Sequence, residues 1–187
     1  MEYFRAIELD SARAIAAWAI EDIKAQHPGH LLAPQYRFKH TLPDELLTLL
    51  NTELASRGVP ELLYIQSYCR QAHHRQSIHI DGVNGRNIDN AVNIPLLGCK
   101  NSRHVYYTGD YTTIPKTVNG LTFSDILWQS TPRVADILYL DRPHLVRVNQ
   151  PHSAQGNGVE QRWVLTMRFQ GNPSYEDLCT RLTATVN

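Results

Sequence analysis

Apolar residues recur at helical spacing in two early stretches, and the pattern then changes to a two-residue alternation that runs through most of the remaining chain. Between residues 11 and 25, Ala12, Ile15, Ala16, Ala19, Ile20 and Ile23 fall on one side and Glu21, Asp22 and Lys24 on the other. This spacing predicts an amphipathic helix, capped by Asp10 or Ser11 and stopped at His27-Pro28-Gly29. A second helix is expected from about Leu42 to Arg57, with Thr41 and Asp44 as a capping pair, Pro43 in the first turn and Gly58 after the end. Leu46, Leu47, Leu50 and Leu54 give it an apolar stripe. Both helices read as scaffold laid against a sheet.

From Glu61 the period is two. Leu62, Tyr64, Gln66, Tyr68 and Arg70 share one face of a predicted strand, and Leu63, Ile65 and Cys69 the other. A face of Tyr, Gln and Arg either borders solvent or lines a polar cavity. Further strands are predicted at 91–97, 104–107, 134–140, 145–148 and 162–169. Turn signals separate them: Asn84-Gly85, Thr108-Gly109-Asp110, Asn119-Gly120, Asp141-Arg142-Pro143 and Gly156-Asn157-Gly158. Many short strands after two helices argue for a mainly β fold, a sandwich or a jelly-roll barrel buttressed by helices. The expected organisation is a single domain: a helical buttress over 1–60, a β core over 61–170 and a C-terminal tail over 171–187. The stretch from Thr108 to Thr122 reads as the longest irregular loop, placed to close over a mouth.

Composition narrows the partners. The chain has 187 residues, enough for one full core, with 18 basic and 18 acidic residues and a formal charge of zero. No global field gathers nucleic acid or an anionic membrane, which argues against a long polyanion as partner. Arg outnumbers Lys by 14 to 4, and nine of the Args fall between Arg70 and Arg168. Guanidinium grips carboxylates in a bidentate fork, which suits a site handling a dicarboxylate. Cys69, Cys99 and Cys179 show neither close pairing nor metal-ligand spacing and read as reduced thiols. Neither a leader pattern nor an apolar run of membrane-spanning length is present, so a soluble, cytoplasmic protein is expected.

The chemistry centres on Ser77-Ile78-His79-Ile80-Asp81-Gly82. On a strand, His79 and Asp81 project from one face. An imidazole and a carboxylate from one strand, joined by a distant imidazole, make the facial triad that holds non-haem Fe(II) with open positions. His152 is the candidate third ligand, and His144, which also follows a proline and precedes a strand, competes with it.

His79-x-Asp81, then Asn93-Ile94-Pro95-Leu96, then Pro151-His152-Ser153, then Arg162 opening an apolar-alternating strand, resembles the Fe(II)/2-oxoglutarate-dependent oxygenases, in particular small aspartyl/asparaginyl-hydroxylase-like and phage-type members. The resemblance covers roughly residues 60–170 and implies a double-stranded β-helix (cupin-like jelly roll) core. It implies Fe(II) on His79, Asp81 and His152, with 2-oxoglutarate and O2 as co-substrates and succinate and CO2 as co-products. The family spacing, an Arg about ten positions past the distal His, favours His152 over His144 and gives Arg162 the far carboxylate of 2-oxoglutarate. Many relatives carry Ser or Thr two residues after that Arg; this chain has Val164, and Thr166 or Arg168 on the same face would have to substitute. Asn93 and Tyr106 are further candidates for co-substrate contact, with a satisfied core polar residue as the rival reading of each. The carboxylate at Asp81 favours hydroxylation or desaturation over halogenation, which replaces it by a small residue. Arg75, Arg86, Arg103, Tyr64, Tyr68 and Tyr107 are the candidates for the mouth and suggest a small anionic molecule or an amino-acid moiety, free or in a peptide.

The remaining histidines carry less. His73 and His74 read as loop residues, His104 faces either cavity or core, and His27, His30 and His40 lie outside the resemblance. Two rival classes predict different behaviour: a cupin-type metal protein without 2-oxoglutarate, and a non-catalytic jelly-roll module that binds no metal stoichiometrically.

Overall fold

A computed structural model of the chain describes residues 1–26, 35–83, 86–118, 121–156 and 158–183. The signals at His27-Pro28-Gly29, Asn84-Gly85, Asn119-Gly120 and Asn157, with His30, lie outside the described residues.

Two six-stranded antiparallel sheets face one another. The major sheet takes β1 (Phe4–Ala6), β2 (Gln35–His40), β3 (Leu62–Arg70), β7 (Asn90–Leu97), β12 (His144–Arg147) and β14 (Arg162–Phe169), in the order β1-β12-β7-β14-β3-β2. The minor sheet takes β4 (His79–Ile80), β8 (Arg103–Thr108), β9 (Tyr111–Val118), β10 (Leu121–Trp128), β11 (Arg133–Tyr139) and β13 (His152–Gln155), in the order β11-β8-β13-β4-β10-β9. β5 (Gly82–Val83) and β6 (Arg86–Asn87) form a small ribbon beside them. Three helices, α1 (Ala12–Gln26), α2 (Asp44–Ser56) and α3 (Tyr175–Thr183), complete the described elements. The architecture is the jelly roll with helical buttressing that the alternation predicts.

β14 organises the core. All eight of its residues are buried, because helices cover one face and the minor sheet the other. Leu165 and Met167 pack on Ile15 and Ala19 of α1, Leu50 and Leu54 of α2 and Leu178 and Leu182 of α3, together with Val92, Ile94 and Leu145 of neighbouring strands. Each large apolar side chain buried this fully contributes about 1.5–3 kcal/mol. The alternate residues Arg162, Val164, Thr166 and Arg168 turn into the space between the sheets. One strand therefore anchors the scaffold with its odd residues and furnishes the interior with its even ones.

Three expectations are corrected. The stretch 108–122 is chiefly strand: β9 pairs with β10 from Tyr111↔Trp128 to Val118↔Leu121. The Thr-Thr-Ile and Thr-Val runs favour extended backbone, and Pro115 is tolerated because β9 is an edge strand. The tail after residue 170 carries α3, whose Tyr175, Leu178, Cys179 and Leu182 are buried at helical spacing. The Thr41/Asp44 capping pair does not form; Pro43 holds the N-cap position of α2 without a side-chain bond. Capping occurs instead at α1, across helices: Glu53 of α2 accepts from the backbone N–H of Asp10 (2.7 Å) and Ser11 (3.0 Å) and from the Ser11 hydroxyl (2.6 Å). Those backbone donors would otherwise lack partners, and the carboxylate also complements the positive helix end.

Behind the major sheet, His40 Nδ1 lies 2.8 Å from Asp22 Oδ2 and its Nε2 2.7 Å from Ser67 Oγ. Ser67 is fully buried and His40 nearly so. Buried in this way, the Asp-His-Ser chain is a clip joining α1, β2 and β3.

Candidate metal centre

Register brings the donors together. β13 lies between β4 and β8, so His152 pairs with His79 on one side and Tyr106 on the other. Asp81 follows β4 and projects to the same side as His79; its backbone N–H donates to the Val148 carbonyl at 2.9 Å, fixing it beside the segment that leads into β13. One ligand atom from each of His79, Asp81 and His152 lies within 4.8 Å of the others. The His144 ring sits elsewhere, in the major sheet, with Nδ1 2.8 Å from the Arg142 carbonyl and its ring edge-on to Phe4.

The tautomers follow from the backbone. His79 Nδ1 is 2.8 Å from the Ser77 carbonyl and His152 Nδ1 2.8 Å from the Gln150 carbonyl. A carbonyl only accepts, so each Nδ1 carries a proton, and in the neutral ring, the form that binds a metal, each Nε2 presents a lone pair. Those lone pairs converge on Asp81 Oδ1, at 3.3 Å from His79 and 3.8 Å from His152. Three acceptors facing one another in a buried spot repel unless a cation lies between them. Two neutral imidazoles and one carboxylate, with no thiolate, fit a divalent ion of the Fe(II) kind and leave the cavity side open. Gln76 Nε2, 3.2 Å from His79 Nε2, donates to the same point.

The surrounding charges keep that donor set. Burial by itself raises the Asp81 carboxyl, but its close contact with His79 and the guanidinium charge of Arg168 outweigh it and hold the group well below the usual carboxylate range. Burial pushes the His152 imidazole down to about 4, so it is neutral at pH 7. Arg168 Nη2 grips Asp81 Oδ2 at 2.5 Å and its Nη1 donates to the Asn90 carbonyl. The outer carboxylate oxygen is thereby taken, and the inner one is aimed at the imidazoles.

A cavity of about 90 Å³ opens from these donors between the sheets. Asn93, Thr166, Arg162 and Arg168 all line it, but in different ways. The Thr166 hydroxyl donates to Asn93 Oδ1 at 2.8 Å, and Arg168 is engaged by Asp81, so neither replaces the hydroxyl absent at Val164. Arg162 is buried and its Nε has no partner. Tyr106 does not line the cavity: its ring is stacked between Tyr3 (4.7 Å) and His104 (4.9 Å), which makes it packing behind His152. Apolar Ala91, Val148 and Val164 supply the remaining wall.

The expected mouth residues scatter. Tyr64 and Tyr68 are on the cavity side of β3, with Tyr68 pushed up to about 12 by burial and by the charge of Asp81. Tyr107 and Arg103 fall on the other face of β8, since His104 takes the cavity side. The Tyr107 hydroxyl accepts from Gln155 Nε2 at 3.0 Å and lies 3.3 Å from Ser153 Oγ, on the outer face. Arg75 is exposed and its backbone bridges to Gln155. The side chain of Arg86 lies outside the described residues. Sequence reasoning passes over Gln76, names Arg70 only on a face that borders solvent or lines a cavity, and leaves His104 between cavity and core. The signal for Arg70 was its place on the polar face of β3, and for His104 the alternation with Tyr106; His104 is buried, lines the cavity and stacks on His152 at 4.8 Å.

No protein-family model matches the chain, and no curated protein matches it in sequence. Among solved structures it is similar to an oxidoreductase of the 2OG-Fe(II) oxygenase family from Burkholderia pseudomallei, with a TM-score of 0.50 and 14% identity over 88% of this chain and 82% of that one. The chain has the fold of that oxygenase. It is also similar to the epimerase SnoN, solved with Fe3+, alpha-ketoglutarate and nogalamycin RO, with a TM-score of 0.50 and 12% identity over 89% of this chain and 78% of that one. Two neighbours with different reactions on one fold leave the reaction to be argued from the site. No helix of the described residues is long and apolar enough to cross a membrane.

Proposed function

We propose that this chain is an Fe(II)- and 2-oxoglutarate-dependent dioxygenase that hydroxylates an unactivated C–H of a small molecule or an amino-acid moiety, free or peptide-bound. The observation that carries the reading is the convergence of His79 Nε2, His152 Nε2 and Asp81 Oδ1 on one point of the cavity that Arg162 also lines. His79, Asp81 and His152 would hold the metal and Arg162 the far acid of the keto acid. Bound iron, keto acid and O2 together supply the oxidising power for the C–H bond, with succinate and CO2 as co-products. The side chains contribute orientation. The Ser77 and Gln150 carbonyls fix both imidazoles, and Arg168 fixes the carboxylate and keeps it ionised. The apolar wall limits water near the reacting carbon. Because Asp81 is present, hydroxylation or desaturation is favoured over halogenation.

The test is succinate release by Fe(II)-loaded protein across a panel of amino acids, peptides and nucleosides, with metal content measured in parallel. His79→Ala and His152→Ala are expected to lose stoichiometric iron and succinate release together, and His144→Ala to keep both. Metal binding without a 2-oxoglutarate-dependent absorption band under anaerobic conditions would leave a cupin-type metal protein. An unchanged metal content in His79→Ala would leave a non-catalytic module.

A further inference from the structure

Among the described residues four arginines are buried, and they divide into two kinds. Arg147 and Arg168 each have a carboxylate, Glu176 at 2.6 Å and Asp81 at 2.5 Å. Arg70 and Arg162, 5% and 4% exposed, have none within ion-pairing distance among the described residues. These two are direct cross-strand partners on β3 and β14, and both line the cavity. Nε of each is buried and has no hydrogen-bond partner among the described residues. Among the described residues Arg70 Nη1 donates only to the carbonyl of its own neighbour, Cys69, at 2.9 Å, and its guanidinium leans toward the Tyr68 ring, 5.9 Å from the centroid.

Two guanidinium charges side by side in a buried place repel, and neither gives up its proton at neutral pH. Burial, followed by the charge of Arg162, pulls Arg70 down only to about 10, which leaves it charged. Such a pair persists when an anion sits between its members. One carboxylate has about four lone-pair sites and accepts from two forks at once. The cavity is small, about 90 Å³, so both guanidiniums face the same occupant. The wall beside Arg162 also lacks a hydroxyl, since Val164 has none and Thr166 gives its own to Asn93.

We propose that Arg70 shares the anion of Arg162, so that the far carboxylate of the keto-acid co-substrate is seated between two guanidiniums. This rests on the function proposed above. It makes Arg70 a co-substrate-binding residue and makes the site select strongly for keto acids that carry a second acid group.

The experiment compares wild type with Arg70→Met, Arg70→Lys and Arg162→Met, each loaded with Zn(II) or Mn(II), by calorimetric titration with 2-oxoglutarate and with 2-oxobutyrate, which lacks the far acid. Arg70→Met is expected to bind 2-oxoglutarate on the order of 10- to 100-fold more weakly, the range of a lost charge-assisted hydrogen bond, with metal affinity and 2-oxobutyrate affinity kept. Arg70→Lys is expected to fall between. In unliganded protein, removing one of two repelling charges raises Tm, whereas a structural arginine would lower it on removal. Wild-type 2-oxoglutarate affinity in Arg70→Met, or an equal loss for both keto acids, would overturn the assignment of Arg70. If wild type binds neither keto acid on any metal while Arg70→Met still gains Tm, the functional reading falls and the seat falls with it.

Discussion

Arg168→Met tests whether the ion pair behind Asp81 positions a metal ligand. The pair is short, 2.5 Å, with the Arg168 side chain 6% exposed and that of Asp81 26% exposed. Removing one partner of a fully buried pair costs about 3–5 kcal/mol, and exposed pairs are worth about 0–1 kcal/mol. The partial access at Asp81 places the expected loss between them, at about 2–3 kcal/mol in the metal-free protein. Metal affinity responds to two opposed effects. Taking a cation away from Asp81 favours its binding another, while losing the grip on Oδ2 frees the carboxylate to turn. Orientation should dominate, because Arg168 and the imidazoles address different oxygens and hardly compete: Oδ2 by the guanidinium, Oδ1 by His79 and His152. The affinity should therefore fall by about 10- to 100-fold, as for other partners that orient metal ligands. Denaturant unfolding without metal gives the first number, and competition with a chelator for Zn(II) or Mn(II) gives the second. Metal binding as tight as wild type or tighter would refute the positioning role, whatever happens to stability.

Two further outcomes are expected away from the cavity. Glu53→Ala strips three hydrogen bonds from the start of α1 and should cost about 1–3 kcal/mol in denaturant unfolding, with the loss of α1 helicity visible by circular dichroism; a change below about 0.5 kcal/mol would show that water replaces the cap. Burial lowers the His40 imidazole below its usual value, against the raising effect of Asp22, so the unfolded chain takes up a proton there before the folded one does. The stabilisation is present above the unfolded value near 6.5 and is lost as pH falls through the lower folded value; unfolding midpoints of the metal-free protein should drop on acidification below about 6.5, and the drop should shrink in His40→Gln. An identical pH profile in that variant would remove His40 from the account.

How much the sequence made legible differs by element. The two N-terminal helices were readable because apolar spacing at 3.6 residues is a local property, and β3, β7 and β14 because alternation is local too. Helix α3 was missed although Tyr175, Leu178, Cys179 and Leu182 carry helical spacing, since a short terminal segment with high polarity reads equally as tail. The stretch 108–122 reads as loop because Thr108-Gly109-Asp110 and Asn119-Gly120 are turn signals, whereas β9 runs between them as an edge strand.

The order His79-x-Asp81, His152 and Arg162 along the chain, with period-two alternation around each, was enough to say which side chains share a strand face. Which faces meet was not. Whether His144 or His152 comes beside His79 depends on the sheet each strand joins, and that follows from long-range pairing and burial rather than from neighbours in the chain. The fate of the arginines is of the same kind. One guanidinium looks like another in a sequence, yet among the described residues Arg168 has a carboxylate within reach and Arg70 with Arg162 has none, because only the packing of β3, β14 and β4 fixes the distances on which Coulomb energy depends.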